Sequence, residues 1–205
     1  MYLKKTPYLI KLFSNKNLIW NFKSVDKSIY LTFDDGPTPG ITEKVLTILD
    51  KFNAKATFFC LGKNVKDNPD IFQKIITQGH SVGNHTFNHF NGWKTNEDEY
   101  LLNIKKAEKY ISSNLFRPPY GRIKKSQIQN IKNKYKIILW TVLSGDFDKN
   151  ISKEKCLSNV INYAQKGSII VFHDSIKAKE KILFALPEVL KYFSDKGFSF
   201  ERIQI

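Results

Sequence analysis

Tyr30-Leu-Thr-Phe-Asp-Asp-Gly-Pro37 is the stretch of sequence that decides the fold. The apolar, β-branched lead-in from Ser28 to Phe33 predicts a buried strand, which runs directly into two carboxylates and a Gly-Pro stop. Neighbouring side chains at a strand end point in different directions. Asp34 and Asp35 can therefore serve different tasks, one holding a metal and the other facing a substrate. A plain turn is the alternative, because Asp-Gly and Gly-Pro are common turn dipeptides.

Strand-like and helix-like segments alternate along the rest of the chain. Predicted strands cover residues 28–33, 56–61, 80–85, 115–117, 136–143, 168–172 and 198–205. Predicted helices cover residues 42–52, 68–79, 95–111, 124–134, 152–167 and 178–195, with Asn68 and Thr95 expected as caps of the second and third. Such repeated units favour an α/β fold with a parallel sheet, and about seven of them predict a distorted, incomplete (β/α)7-type barrel.

Chemically reactive side chains fall at or just after the carboxyl ends of five predicted strands. They are Asp34, Asp35, His85, His89, Arg117, Asp146 and His173. The carboxyl ends of the strands form the functional face of a (β/α) barrel. We therefore expect these side chains to meet at one rim.

The pair His85 and His89 is a candidate for metal binding. In a helical turn, a spacing of four residues would place both imidazoles on one face. With one carboxylate they would make a three-ligand site with open positions, the pattern of a catalytic zinc ion. A pair of surface or capping histidines is the alternative, but three of the chain's four histidines fall at the predicted rim. The fourth, His80, is predicted to pack beside the site or to support it through a hydrogen bond.

Length, charge and cysteine content bound the remaining possibilities. The chain has 205 residues, two cysteines and a formal net charge of +14. Cys60 and Cys156 make no disulfide framework and are predicted to be core residues. The chain carries no nucleic-acid-binding motif, so nucleic acid is not predicted as a partner. Contact of the basic surface with an anionic polymer or a membrane is left open, and no oligomeric state is predicted.

The sequence predicts a basic, aromatic arm at residues 1–27, packed on one domain at residues 28–205. The opening thirteen residues lack an uninterrupted apolar core and a small-residue cleavage site, so no signal peptide is predicted. No run of eighteen apolar residues predicts a transmembrane helix. The default expectation is a cytoplasmic protein, with an amphipathic segment at a membrane surface as the alternative.

From about Ser28 to its end, the chain resembles the polysaccharide deacetylases with a NodB homology domain, carbohydrate esterase family 4. Three motifs carry the resemblance fully: Thr32-Phe-Asp-Asp-Gly-Pro37, Asn84-His-Thr-Phe-Asn-His89 and Arg117-Pro-Pro-Tyr-Gly121. Two further motifs differ from the family pattern. Leu143 and Phe147 stand where the family has Asp and Trp in Asp-x-x-Asp-Trp, and Val171-Phe-His173 replaces Leu-x-His.

The resemblance implies a metal site and a general base. Asp35, His85 and His89 would hold a divalent metal, usually Zn²⁺, with Co²⁺ as another choice. Asp34 would take a proton from water whose pKa the metal lowers from ~16 toward ~7. The resulting hydroxide would attack the carbonyl of an N-acetyl group.

The resemblance implies roles for four more residues. The backbone N–H of Tyr120 would stabilise the oxyanion, and Arg117 would pair with Asp34 and orient it. His173 would protonate the leaving amine, and Asp146 would raise the pKa of that histidine.

The implied function is metal-dependent hydrolysis of N-acetyl groups from amino sugars of a peptidoglycan- or chitin-like glycan. An N-acetylated carbohydrate is thus the expected partner. Two alternatives remain: a non-catalytic sugar-binding protein on the same fold, and a deformylase or other amide hydrolase of a lipid-linked amino sugar. The departures at Leu143 and Phe147 touch neither the expected ligands nor the expected base, so activity is expected.

Overall fold

The computed structural model describes residues 3–23 and 26–205. Eight strands form one curled, all-parallel sheet in the order β1-β6-β5-β4-β3-β2-β8-β7, and a ninth pairs with β2. The strands are β1 Leu18–Ile19, β2 Ser28–Asp34, β3 Ala56–Cys60, β4 Ser81–Asn84, β5 Leu115–Phe116, β6 Lys136–Ile138, β7 Val142–Leu143, β8 Ile169–His173 and β9 Ser199–Phe200. The sheet forms a half-barrel, which confirms the predicted incomplete barrel.

Eight α-helices connect or precede these strands in the described ranges. They are α1 Tyr8–Phe13, α2 Thr42–Lys51, α3 Gly62–Asp67, α4 Pro69–Thr77, α5 Glu97–Glu108, α6 Lys125–Ile131, α7 Lys153–Ile161 and α8 Lys179–Ser194. Two 3₁₀ turns lie at Pro119–Gly121 and Ile176–Ala178. No helix in residues 3–23 or 26–205 is long and apolar enough to cross a bilayer.

Strand β2 lies inside the sheet, between β3 and β8. Six of its seven residues are buried, because helices and neighbouring strands cover both faces. The Phe33 ring stacks on Phe58 at 4.9 Å and on Phe172 at 6.2 Å between ring centres. The register places Asp34 opposite His173 of β8, so the end of β2 delivers its carboxylates directly beside that histidine.

Helices α2 and α8 cover the sheet with apolar stripes at helical spacing. Val45, Leu46 and Leu49 of α2 are buried, and α8 buries six side chains from Ile182 to Phe193. Cys60 and Cys156 are free and buried, as predicted. This core holds the strand ends rigidly, which is what a polar site at their carboxyl edge requires.

The single predicted strand at residues 136–143 is wrong. The segment makes two strands: β6 pairs with β5 and β1, whereas β7 pairs with β8 at the opposite end of the sheet. At the end of β6, the carbonyl oxygens of Ile138 and Leu139 accept hydrogen bonds from the buried Arg117 guanidinium. The Arg117 side chain thus occupies two backbone carbonyls at the point where β6 ends.

The amino-terminal residues lie against this opening. The Thr6 N–H donates to the Thr141 carbonyl and the Leu143 N–H to the Lys4 carbonyl, both at 2.9 Å. Strand β1 then joins the sheet edge at β6. Helices α1 and α3 and strand β1 were not predicted, because none exceeds six residues and short segments carry little periodic signal. The boundary between an arm at 1–27 and a domain at 28–205 stays a prediction.

Three smaller predictions also need correction. Asn96, not Thr95, caps α5, since its side-chain oxygen accepts from the Asp98 N–H at 3.0 Å. Asn68 lies at the start of α4, but its side chain donates to the Asn64 carbonyl and does not cap. The last strand is only Ser199–Phe200.

Candidate metal centre and active site

The predicted reactive residues lie together at the carboxyl edge of the sheet. A pocket of about 490 Å³ is lined by Asp34, Asp35, His85, His89, Tyr120 and His173, among others. Arg117 and Asp146 lie behind the pocket wall and are fully buried. Arg117 contacts Asp34 and His85, and Asp146 contacts His173, so all eight predicted site residues form one connected cluster.

Asp34 is held by the buried guanidinium of Arg117. One Arg117 nitrogen, Nη1, donates to Asp34 Oδ1 at 2.8 Å and to the Thr32 hydroxyl at 2.7 Å. The other two nitrogens donate to backbone carbonyls, and the guanidinium lies 4.1 Å from the centre of the Phe59 ring. A buried ion pair is tolerable only when its donors are satisfied in this way. The pairing leaves Asp34 Oδ2 as the oxygen that can face the pocket.

Asp35, His85 and His89 offer three ligand atoms within 4.8 Å of one another. Asp35 Oδ1 lies 3.2 Å from His89 Nε2 and 3.8 Å from His85 Nε2. This oxygen is buried, yet no donor among the described residues reaches it with hydrogen-bond geometry. Burial raises the pKa of Asp35, but the contact with His89 and the nearby histidine charges outweigh it and hold the pKa far below its usual range. An ionised, unpaired oxygen facing two imidazole nitrogens fits a divalent cation.

His85 is oriented by the chain itself. Its Nδ1 lies 2.7 Å from the Arg117 carbonyl oxygen, so Nδ1–H donates and the Nε2 lone pair faces Asp35. Burial lowers the pKa of His85 to about 4, which keeps the ring neutral, as a metal ligand must be. His89 Nδ1 lies 3.1 Å from the Tyr120 hydroxyl. Both rings therefore present Nε2 to the same point.

The helical turn expected for His85 and His89 is wrong. Strand β4 ends at Asn84, and the two histidines lie in the loop after it. The Asn103 side-chain oxygen accepts from the Phe87 and Asn88 N–H groups, both at 2.9 Å, and His89 itself has a φ of 60°. The loop is shaped by side-chain hydrogen bonds. The signal for Asn103 was present in the sequence: it is a polar residue inside the apolar stripe of α5.

His173 and Asp146 form a second pair on the other side of the pocket. Asp146 Oδ1 lies 2.8 Å from His173 Nδ1, and Asp146 Oδ2 accepts from the His173 N–H at 2.6 Å. Burial lowers the pKa of His173, but the Asp146 carboxylate outweighs it and raises the pKa to about 9. The Phe147 ring meets the imidazole edge-on at 5.0 Å between ring centres. The upward shift in the pKa of His173 has the direction expected from the neighbouring Asp146 carboxylate.

Tyr120 lies in the 3₁₀ turn that begins at Pro119, the second proline of the third motif. Its φ is 61°, a left-handed conformation that is rare for a residue with a side chain. Gly121 also has a positive φ, and a Cβ there would come within 2.8 Å of the Trp140 ring. The tight turn thus needs glycine next to Tyr120, and it sets the backbone of Tyr120 at the pocket mouth.

His80 lies away from the pocket, contrary to the prediction. Its Nδ1 accepts from the N–H of Ala56, the first residue of β3, at 3.2 Å. Its ring meets Phe58 edge-on, and burial lowers its pKa to about 4. His80 is a packed histidine at the amino end of the sheet, opposite the edge that carries the pocket.

Comparison with known proteins assigns this cluster to a family. Residues 23–137 match the family model described as polysaccharide deacetylase. The chain belongs to the polysaccharide deacetylase family. This confirms the resemblance predicted from the three complete motifs.

Two relatives of this family member are named deacetylases. A peptidoglycan-N-acetylglucosamine deacetylase of Bacillus cereus is 36% identical over 180 residues, which cover 84% of this chain and 65% of that protein. A chitooligosaccharide deacetylase of Azorhizobium caulinodans is 35% identical over 166 residues, covering 77% of this chain and 78% of that protein. The chain therefore spans just under two thirds of the first relative and more than three quarters of the second.

A solved structure shows the same fold. The Bc1960 peptidoglycan N-acetylglucosamine deacetylase, crystallised with a naphthalenyl N-oxidanyl-benzamide, superposes with a TM-score of 0.88. It is 32% identical, and the match covers 97% of this chain and 95% of that chain.

Two residues outside the five motifs also shape the site of this family member. Asp174 accepts from the Gly36 N–H at 3.1 Å and from the Thr42 hydroxyl, and burial raises its pKa to about 7. Lys177 places its Nζ 3.2 Å from Asp35 Oδ2 at the pocket mouth. Sequence reasoning missed both. Their only signal was proximity in the chain to His173.

Proposed function

We propose that this polysaccharide deacetylase hydrolyses N-acetyl groups of amino sugars in a peptidoglycan- or chitin-like glycan. The observation that carries the proposal is the buried, unpaired Asp35 Oδ1, which faces two oriented imidazoles beside the paired carboxylate of Asp34. Asp35, His85 and His89 would hold a divalent ion. Nitrogen and carboxylate ligands suit Zn²⁺, with Co²⁺ as a substitute. When bound, such an ion supplies Lewis acidity: it lowers the pKa of water and polarises a carbonyl.

The first half of the reaction falls to Asp34 and Tyr120. Asp34 Oδ2, free of Arg117, takes a proton as the water oxygen adds to the acetyl carbonyl carbon. Arg117 holds Oδ1, so only one carboxylate oxygen is available and its direction is set. The backbone N–H of Tyr120 donates to the developing oxyanion.

The second half falls to His173 and Asp146. Nδ1 of His173 is taken by Asp146, so Nε2 is the position that carries a transferable proton. His173 Nε2–H gives its proton to the amino-sugar nitrogen as the carbon–nitrogen bond breaks, releasing acetate and a free amine. The raised pKa means that the ring starts in the protonated form required for this role.

Exposed aromatic rings at the pocket mouth support a glycan substrate. Trp93 and Tyr120 line the pocket and are each 59% exposed. Aromatic rings with one open face stack on the apolar faces of sugars while their polar tips stay in water. A glycan chain is therefore a better fit than a small amide for the outer part of the pocket.

Acetate release tests the proposal and its metal dependence together. Purified protein is incubated with N-acetylated chito-oligosaccharides and peptidoglycan fragments, with zinc, after chelation, and after zinc is restored. We expect chelation to lower acetate release at least roughly 100-fold and zinc to restore it, because the Lewis acid is lost and regained. N-formylated sugars serve as the comparison for a deformylase.

Two results would contradict the proposal. Equal acetate release with and without chelator would show that the reaction does not depend on a metal. Sugar binding without any acetate release, at full zinc content, would favour the non-catalytic alternative.

The pKa of His173 predicts an alkaline limit to activity. We expect kcat/KM to fall above about pH 9, or somewhat below it once a nearby cation lowers the pKa of His173, since only the protonated ring can donate. Asp146→Asn removes the charge that raises this pKa but keeps an acceptor for Nδ1–H. The pH above which kcat/KM falls should then decrease by at least about one unit. If kcat/KM of Asp146→Asn falls at the same pH as that of the wild type, a group other than His173 sets the alkaline limit.

The same pair predicts how stability changes with pH. The pKa of His173 is raised above its unfolded value of about 6.5. Its contribution to the free energy of unfolding is therefore complete below about pH 6.5 and is lost as the pH rises through about 9. Thermal melting of the wild type and of Asp146→Asn should converge over that range.

A further inference from the structure

Helix α1 exposes an apolar surface. Five of its six residues are apolar or aromatic, and it buries none of them. The exposed fractions run from 43% for Ile10 to 82% for Phe13, with Tyr8, Leu9 and Leu12 between them. Each of the other seven helices in the described chain buries at least two residues. A helix that is apolar on most sides is normally buried, so the exposed side of α1 has the character of an interaction surface.

The charges around α1 indicate what covers it. Residues 3–16, which contain α1 and its flanking segments, carry Lys4, Lys5, Lys11 and Lys16 and no acidic residue. A second copy of this chain would bring the same lysines together on a protein that already carries a net charge of +14, and the two would repel. An anionic lipid surface attracts lysines and accepts apolar side chains between its headgroups.

The exposed surface of α1 is continuous with the pocket mouth. Ile10 belongs to both, and Leu3, which is 55% exposed, also lines the pocket that contains Asp35 and His89. The segment before α1 is bound to the sheet through backbone hydrogen bonds at Lys4 and Thr6. Whatever α1 binds is therefore held at a set position relative to the pocket.

We propose that α1 is a membrane-docking element that seats Leu9, Leu12 and Phe13 in the headgroup region of an anionic bilayer. Tyr8, with an apolar ring and a polar hydroxyl, suits the same boundary. Docking places the pocket mouth at the membrane surface, within reach of glycans attached to or assembled on lipid. The docking proposal depends only on α1 and the lysines around it. The choice of a lipid-linked glycan as substrate rests on the proposed function.

Vesicle sedimentation of the full chain tests docking directly. Vesicles of phosphatidylcholine with phosphatidylglycerol are compared with pure phosphatidylcholine, at low and high salt. We expect binding to the anionic vesicles only, weakened by salt. The double variant Leu9→Ser, Phe13→Ser should bind at least about 10-fold more weakly, since it removes two large apolar groups from the bilayer.

Leu102→Ser is the matched control, because Leu102 is 65% exposed on α5. It should bind vesicles like the wild type. The double variant should melt like the wild type and release acetate from a soluble oligosaccharide at the wild-type rate, since neither residue is buried or lines the pocket. Failure of docking is thereby separated from failure of the proposed function.

Three results would overturn the proposal. Equal vesicle binding by the double variant and the wild type would show adsorption by lysines alone. Absence of binding to anionic vesicles would exclude a membrane as the partner of α1. A dimeric wild type that the double variant converts to a monomer would assign α1 to a second copy of the chain.

Discussion

Replacing Asp34 by asparagine should lower turnover at least about 100-fold while the protein keeps its metal. The amide has nearly the same shape as the carboxylate but cannot accept the proton of the attacking water. Asp34 is not one of the three clustered ligand residues, so bound metal should stay near the wild-type level. The measurements are kcat for acetate release and zinc per protein chain, on the same preparation.

Asp35→Asn is the matched control for this experiment. It changes the neighbouring carboxylate, which belongs to the ligand cluster, and it should lose zinc and activity together. Wild-type turnover in Asp34→Asn would remove Asp34 from the mechanism. Loss of zinc in Asp34→Asn would instead make it a ligand. Because the substitution leaves the buried charge of Arg117 without its carboxylate, thermal melting must accompany both variants.

Replacing Arg117 by methionine should lower the free energy of unfolding by about 3–5 kcal/mol. Arg117 is fully buried, and its removal strands the buried carboxylate of Asp34 without a counter-charge. The Ile138 and Leu139 carbonyls lose their donors as well. For a chain of this length, the melting temperature should fall by roughly 6–20 °C. Thermal melting at neutral pH measures it.

Arg122→Met is the control, because Arg122 is exposed and rests over the Trp93 ring at 5.2 Å. It should cost less than about 1 kcal/mol. Adding Asp34→Asn to Arg117→Met should recover part of the lost stability, since the double variant no longer leaves the Asp34 carboxylate without its counter-charge. An unchanged melting temperature in Arg117→Met would show that water or a local shift compensates for the lost guanidinium.

Much of the candidate site was predictable because the strand ends are marked in the sequence. A buried strand followed by Asp34 and Asp35 identifies the carboxyl edge of the sheet, and His173 marks the end of another strand in the same way. Parallel strands bring such ends together whatever the loops do. The family followed from the same motifs, and the match over residues 23–137 confirms it.

The loops were less predictable because their shape comes from distant partners. His85 and His89 meet at one point through hydrogen bonds to the Arg117 carbonyl and the Tyr120 hydroxyl, which are about thirty residues away in the chain. A spacing of four residues carries no information about such contacts. The break between β6 and β7 also involves a distant partner, since the Arg117 side chain donates to the carbonyls of Ile138 and Leu139 there.

The amino acids alone determined the fold class and the family, and they marked seven candidate site residues at strand ends, because local patterns of apolar and polar side chains encode strands, helices and their ends. The folded chain alone decided which oxygen of Asp34 faces the pocket, that Asp35 Oδ1 accepts no hydrogen bond from residues 3–23 or 26–205, and that the same residues leave α1 exposed beside the pocket. These properties arise from contacts between residues far apart in sequence. Burial and distance are set only when the whole core has packed.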